Sequence, residues 1–180
     1  MKLKPNSHNT IKPIDTHKLW PKKESNKAIL LDADAIISIM SFDATQLMDT
    51  FLKEEISFYI IHPISIELLK TDNVKDRIKR QDFLSKYNIV SLPMIKKQLD
   101  YALDIQTWLV KNKYFKASAV DLYLAGTLMQ YNKSGVYLLT GNISDFPRPL
   151  FIRHANILLE NKNSGKLLYF LNIDEKELTI

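Results

Sequence analysis

Cysteine is absent from the 180 residues, which removes disulfides, thiolate zinc sites and cysteine nucleophiles together. Any bound metal must therefore rest on oxygen or imidazole donors, and oxygen donors favour magnesium or manganese. The four histidines, His8, His17, His62 and His154, form no pair at metal-ligand spacing, and no serine–histidine triad is evident. Long apolar runs are missing too. None approaches the ~20 residues of a bilayer-spanning helix, so no membrane partner is expected. The opening Met1-Lys-Leu-Lys-Pro5 lacks the apolar stretch of roughly 7 to 15 residues found in a secretory signal, and a cytoplasmic location is expected. There is no internal repeat and no sign of a second domain.

What is present is the composition of an ordinary globular domain, 46% hydrophobic and 25% charged, on a chain long enough to bury a core. The net charge of +5 is unevenly placed. Residues 1–27 hold seven lysines against Asp15 and Glu24, and the remainder carries eighteen side chains of each sign. The basic character thus belongs to an arm, residues 1–27, and the domain proper to residues 28–180. With Pro5, Pro13 and Pro21 and little periodicity, the arm reads either as a segment that follows a phosphate backbone or as a disordered solubilising tail. Trp20 suggests a docking point near its end.

The run Ala28-Ile-Leu-Leu31 is short, continuous and apolar, as a strand buried on both faces must be, and Asp32 ends it. A helix follows. Asp43-Ala-Thr-Gln46 then reads as a capping signal for a second helix through about Lys53, with Leu47, Phe51 and Leu52 as its apolar face. A strand over 56–61 precedes a short helix with Pro63 in its first turn, which carries Ile64, Ile66, Glu67, Leu68 and Leu69. Residues 72–86 predict a charged surface helix, 88–92 a strand, and 94–111 a long helix with an apolar stripe of Ile95, Leu99, Ala102, Leu103 and Leu109. Residues 117–131 are apolar nearly all round, which predicts a buried helix. A strand over 136–139 leads into Thr140-Gly-Asn-Ile-Ser-Asp145. Ile157–Leu159 and Leu167–Leu171 predict a C-terminal hairpin within 155–173. Strands alternating with helices predict a three-layer α/β/α sandwich around a central, mainly parallel sheet.

In open α/β sheets, ligands bind outside the carboxyl ends of the strands. Asp32 and the Thr140–Asp145 segment lie there, Glu67 lies just beyond the second strand, and Asp121 opens the helix before the strand at 136. Each acid also has a purely structural reading. Asp32 with Asp34 suits a helix cap, Glu67 an exposed helix position, Ser118 with Asp121 a capping box, and Asn142 with Asp145 a turn. A carboxylate buried in an otherwise apolar helix, however, calls for a metal or a donor nearby.

In order and context these segments resemble the PIN-domain family. Leu30-Leu-Asp-Ala-Asp-Ala-Ile36 resembles its opening strand motif, and His62-Pro-Ile-Ser-Ile-Glu-Leu-Leu69 its second. Ser118-Ala-Val-Asp-Leu-Tyr-Leu-Ala-Gly126 resembles the third, and Tyr137-Leu-Leu-Thr-Gly-Asn-Ile-Ser-Asp-Phe146 the last. The match spans roughly residues 28–147. It implies a Mg2+- or Mn2+-dependent endoribonuclease of the VapC-like kind, with Asp32, Glu67 and Asp121 as metal ligands, Asp145 as a further catalytic acid, and Thr140 and Asn142 orienting the site. It also implies RNA as substrate, a small antitoxin as partner in a toxin–antitoxin pair, and a homodimer. The chain departs from the pattern at Asn142, where many relatives have an acid, and in its long arm and tail.

The mechanism implied is phosphodiester hydrolysis, in which divalent ions activate water and relieve charge on the phosphate and leaving oxygen. Lys111, Lys113, Tyr114 and Lys116 precede the Asp121 helix and mix cations with aromatics, as suits single-stranded RNA. Two other readings stand beside this one. A PIN-like module that binds RNA or protein without cutting fits Asn142. A haloacid-dehalogenase-like phosphatase is suggested by Asp32-Ala-Asp34 and Leu138-Leu-Thr140, although Glu67 and Asp121 fall on the wrong side of the second motif for it.

Overall fold

The computed structural model describes residues 27–178, so the basic arm lies almost wholly outside the described residues. The sequence of elements begins β1 (Ala28–Leu31), α1 (Ala33–Ser41), α2 (Thr45–Lys53), β2 (Ser57–Ile61), α3 (His62–Leu69), α4 (Val74–Lys86) and β3 (Val90–Leu92). It continues through α5 (Lys96–Lys111), α6 (Ala119–Gln130), β4 (Val136–Thr140), a short 3-10 turn at Ile143–Asp145, β5 (Phe151–Glu160) and β6 (Gly165–Ile173), with a last 3-10 turn at Glu175–Leu178.

The six strands form one sheet in the order β3-β2-β1-β4-β6-β5. Strand β1 pairs in parallel with β2, Ala28 opposite Ser57, and with β4, Ala28 opposite Val136. Flanked on both edges and covered on both faces, all four of its residues are buried, which is why the segment is continuously apolar. Fully burying a Leu or Ile side chain is worth about 1.5–3 kcal/mol, and Ile29, Leu30 and Leu31 each contribute on that scale at 1% exposure or less.

The sheet is mixed, and this corrects the expectation of a mainly parallel one. Strands β3, β2, β1 and β4 run parallel, but β6 is antiparallel to β4 and to β5, and the β5–β6 ladder is the longest among the described residues. The tail can join the sheet this way because a hairpin needs only a short turn, whereas a parallel strand needs a crossover. Its first strand starts at Phe151, before the 155 expected from sequence. Helix α3 contacts both α1 and α4, and α5 packs against α6, an arrangement compatible with three α/β/α layers. Among the described residues, no helix is long and apolar enough to cross a membrane.

Two local expectations are corrected. Asp43 does not cap α2; it adopts a left-handed φ of 50° in the preceding turn, and the N-cap position falls on Ala44. Short polar residues tolerate that conformation better than others, so the turn takes Asp43 and leaves the cap to its neighbour. Helix α5 buries Gln98, Ala102, Ile105, Trp108 and Leu109, while Ile95, Leu99 and Leu103 are exposed. The reason lies in α6. A Cβ on Gly126 would run into the Gln98 carbonyl oxygen and come within 3.0 Å of Ala102 N, so this glycine lets the Gln98–Ala102 row of α5 approach closely.

Candidate functional site: a carboxylate cluster at the strand ends

Parallel pairing of β1 with β4 carries the residues just past Leu31 and Leu139 to the same edge. There Thr140 Oγ1 donates a 2.7 Å hydrogen bond to Asp32 Oδ2, and the same hydroxyl accepts from Asn142 N at 3.0 Å. The hydroxyl proton is thereby committed to Asp32. Asp32 occupies the N-cap position of α1 with extended backbone, but its side chain makes no capping hydrogen bond. Its carboxylate points into the site instead.

Asp32 is 7% exposed and Thr140 fully buried. Burial pushes the Asp32 carboxyl up to about 6 from the usual 3.8. The negative charges of Asp121 and Asp34 push the same way, while the Thr140 hydroxyl and the Ala33 backbone oppose. Asp145 is also raised, first by burial and then by the charge of Asp121, against the Ser144 hydroxyl, the Lys116 ammonium and the Asn142 amide. Asp121 therefore acts on both acids, and the three form one electrostatic neighbourhood.

Asp121 also caps its own helix: Ser118 N donates to Asp121 Oδ2 at 2.7 Å, and Asp121 N donates to Ser118 Oγ at 3.2 Å. The capping box fixes the carboxylate at the start of α6. Asn142 donates its amide to Asp145 Oδ2, and Ser144 Oγ bridges to Asn142 Oδ1 at 2.9 Å and Asp145 Oδ1 at 3.2 Å. The 3-10 turn is thus held by its own side chains.

Glu67 is exposed on α3. Pro63 starts the helix and Ile64 and Leu68 anchor it, which leaves position 67 on the outer side. Among the described residues, no group of three His, Asp or Glu side chains is arranged to hold a metal ion directly.

Of the four residues expected to meet RNA, Lys111, Lys113, Tyr114 and Lys116 are all exposed. Tyr114 is already engaged, stacked on Trp108 with 3° between the rings and donating its hydroxyl to Arg148 O at 3.1 Å. Its loop shares a cavity of about 110 Å³ with Ser144, Asp145 and Pro147.

One participant gave no signal in the sequence. Lys166, at the start of β6, reaches Asp34, with Nζ 3.0 Å from Oδ2 and 3.1 Å from Oδ1. The pair lies over Gly141, where a Cβ would overlap both Asp34 Oδ2 and Lys166 Cε. The hairpin therefore supplies a cation at the edge that bears the acids. A cavity of about 550 Å³ lies elsewhere, around Lys27, Ala28, Ser57 and Val136 at the amino-terminal ends of the strands. That is the end of a parallel sheet less used for ligands.

No family model matches the chain, and no curated protein matches it.

Proposed function

We propose that the protein is a PIN-type endoribonuclease that hydrolyses RNA phosphodiesters with the help of Mg2+ or Mn2+, on a three-layer PIN-like fold. The observation that carries this reading is Asp121, fixed by the Ser118 capping box at the start of α6, whose charge acts on both Asp32 and Asp145. Bringing like charges to a buried carboxylate such as Asp32 is unfavourable unless a cation joins them.

A closed cage of direct ligands is not what these residues offer. Magnesium, however, takes one or two carboxylates and keeps much of its water, and the donor set fits an ion held in that way. Asp32 and Asp121 would hold it, with Asp145 through water; Glu67, on the outer side of α3, contributes least to this reading. When bound, the ion supplies charge relief on the phosphate and a water of lowered pKa.

The protein's own part is positioning. Thr140 orients the Asp32 carboxylate, Asn142 and Ser144 hold Asp145, and the Ser118 cap holds Asp121. Lys116 and Lys113 on the adjoining loop supply positive charge for the RNA backbone. Toxin–antitoxin pairing, a homodimer and a cytoplasmic site of action belong to the same proposal. A small co-purifying protein that occludes the acids and suppresses cutting supports the pairing.

A second reading has an observation of its own. Asn142, hydrogen-bonded to Asp145 in place of an acid, favours a PIN-like module that binds RNA or protein without cutting it. The two separate in one experiment, in which single-stranded and structured RNAs are incubated with Mg2+ or Mn2+, with EDTA, and with an Asp121→Asn variant. Metal-dependent cutting lost in the variant supports the nuclease; RNA bound but intact throughout supports the module.

A further inference from the structure

The most exposed large hydrophobic side chain among the described residues stands beside the carboxylate cluster. It is Phe115, 73% exposed, in the loop joining α5 to α6. Burying a Phe ring is favourable, and leaving this one in water forgoes that gain.

The loop around it is braced. Lys113 adopts a left-handed φ of 64° and donates its N–H to Val110 O at 3.1 Å, and Tyr114 N donates to Leu109 O at 2.8 Å. The Tyr114 ring stacks on Trp108, and its hydroxyl reaches the Arg148 carbonyl. On the other side, Ser118 is tied to Asp121 by the capping box. Phe115 therefore sits between two braced points of the chain, and a loop backbone ordered in advance loses little entropy on contact with a ligand.

Its surroundings select the ligand. Lys113 and Lys116 lie on either side of Phe115 in the chain, and with it they line a cavity of about 110 Å³ together with Ser144, Asp145 and Pro147. Cations alternating with an exposed aromatic match the alternation of phosphate and base in a single strand. A duplex keeps its bases stacked inside and offers no face to such a ring.

We infer that Phe115 is the platform on which an unpaired RNA base stacks, seating the neighbouring phosphate at the Asp32, Asp121 and Asp145 cluster while Lys113 and Lys116 meet the flanking phosphates. This rests on the proposed nuclease function, and it moves the stacking role from Tyr114, which is already engaged, to Phe115.

The test uses the full chain carrying Asp121→Asn, titrated with a short fluorescein-labelled single-stranded RNA and with the matching duplex. Adding Phe115→Ala is expected to weaken single-strand binding about 10- to 100-fold, on the scale of one base–aromatic stack. Phe115→Trp retains binding, and duplex affinity does not change. In the chain with Asp121 intact, Phe115→Ala raises KM for single-stranded substrate and leaves kcat within about threefold, as loss of uniform binding does. Because the ring is exposed, the thermal melt of Phe115→Ala overlays that of the parent. Unchanged single-strand affinity, an equal loss on duplex, a Trp variant as weak as the Ala variant, or no binding of single-stranded RNA at all overturns the platform. If the intact chain leaves RNA uncut while Phe115-dependent binding persists, the nuclease reading fails and the platform stands.

Discussion

Thr140 and Asp32 lie 108 positions apart in the chain and meet in a buried 2.7 Å hydrogen bond. Thr140 has one proton to give, and Asn142 N occupies an acceptor site on the same oxygen, so the bond has a fixed direction. Replacing Thr140 by Val leaves the carboxylate without its side-chain donor. The expected loss near neutral pH is about 1–3 kcal/mol, read by urea denaturation, while Thr140→Ser retains most of the stability. Equal stability of the Val and Ser variants would contradict the assigned bond.

Asp32 links stability to pH with a definite sign. Its carboxyl is raised from 3.8 to about 6, so the folded state holds the proton more tightly than the unfolded chain. Its contribution is fully present below about pH 4 and is lost as pH rises through about 6. Asp32→Asn removes the buried charge and keeps an acceptor for Thr140. The variant is expected to be more stable than the parent at about pH 7.5, by on the order of 2–3 kcal/mol, with the difference closing towards pH 4. Denaturation curves at the two pH values check it.

A cation that joins the acids binds the folded state alone and raises the melting temperature by mass action. Mg2+ or Mn2+ is expected to raise that of the native chain, and to do so much less for Asp32→Asn. Scanning calorimetry with and without the metal reads the difference. An equal shift in both proteins would place the ion somewhere else.

Gly141 lies beneath the Asp34–Lys166 pair. A methyl group there displaces the ends of two flexible side chains and leaves the backbone in place. Gly141→Ala is therefore expected to destabilise by about 1 kcal/mol or less, the scale of a partly exposed ion pair. It should also be non-additive with Lys166→Met, since the pair is already gone in that variant. A double-mutant cycle measures this.

Gly126 differs, because its neighbours are the backbone of α5. Gly126→Val forces the two helices apart, and overpacking of this kind costs about 1–3 kcal/mol. Thermal unfolding of the variant reads the loss, and a melt that overlays the parent's would mean that the helices do not depend on this close approach.

Several features were legible in the order of the residues. The limits of β1 followed from four consecutive apolar residues bounded by Lys27 and Asp32, because a doubly covered strand tolerates no polar side chain. The core of α6 followed from its apolar circumference, and the edge that would hold Asp32, Thr140 and Asp145 followed from the strand–helix alternation. The buried row of α5 was legible only at Ala102 and Leu109. Ile95, Leu99 and Leu103 make a more apolar row than Gln98, Ala102 and Ile105, and only the glycine on α6 reverses the choice. Lys166 was hidden as well, since nothing near it in the chain distinguishes it from the other lysines. Tyr114 and Phe115 were equivalent as letters, and stacking on Trp108 separates them.

By itself the sequence determined the elements and the strand ends at which acids gather, because hydrophobic periodicity and local turn chemistry act over a few residues and are written in order along the chain. The tertiary structure alone decided which acids act on one another, that Glu67 is exposed, that the hairpin turns the sheet mixed, and that Lys166 comes back to Asp34. Those outcomes depend on packing between segments far apart in the chain, 108 positions for Thr140 with Asp32 and 132 for Lys166 with Asp34, where distance in space bears no fixed relation to distance along the chain.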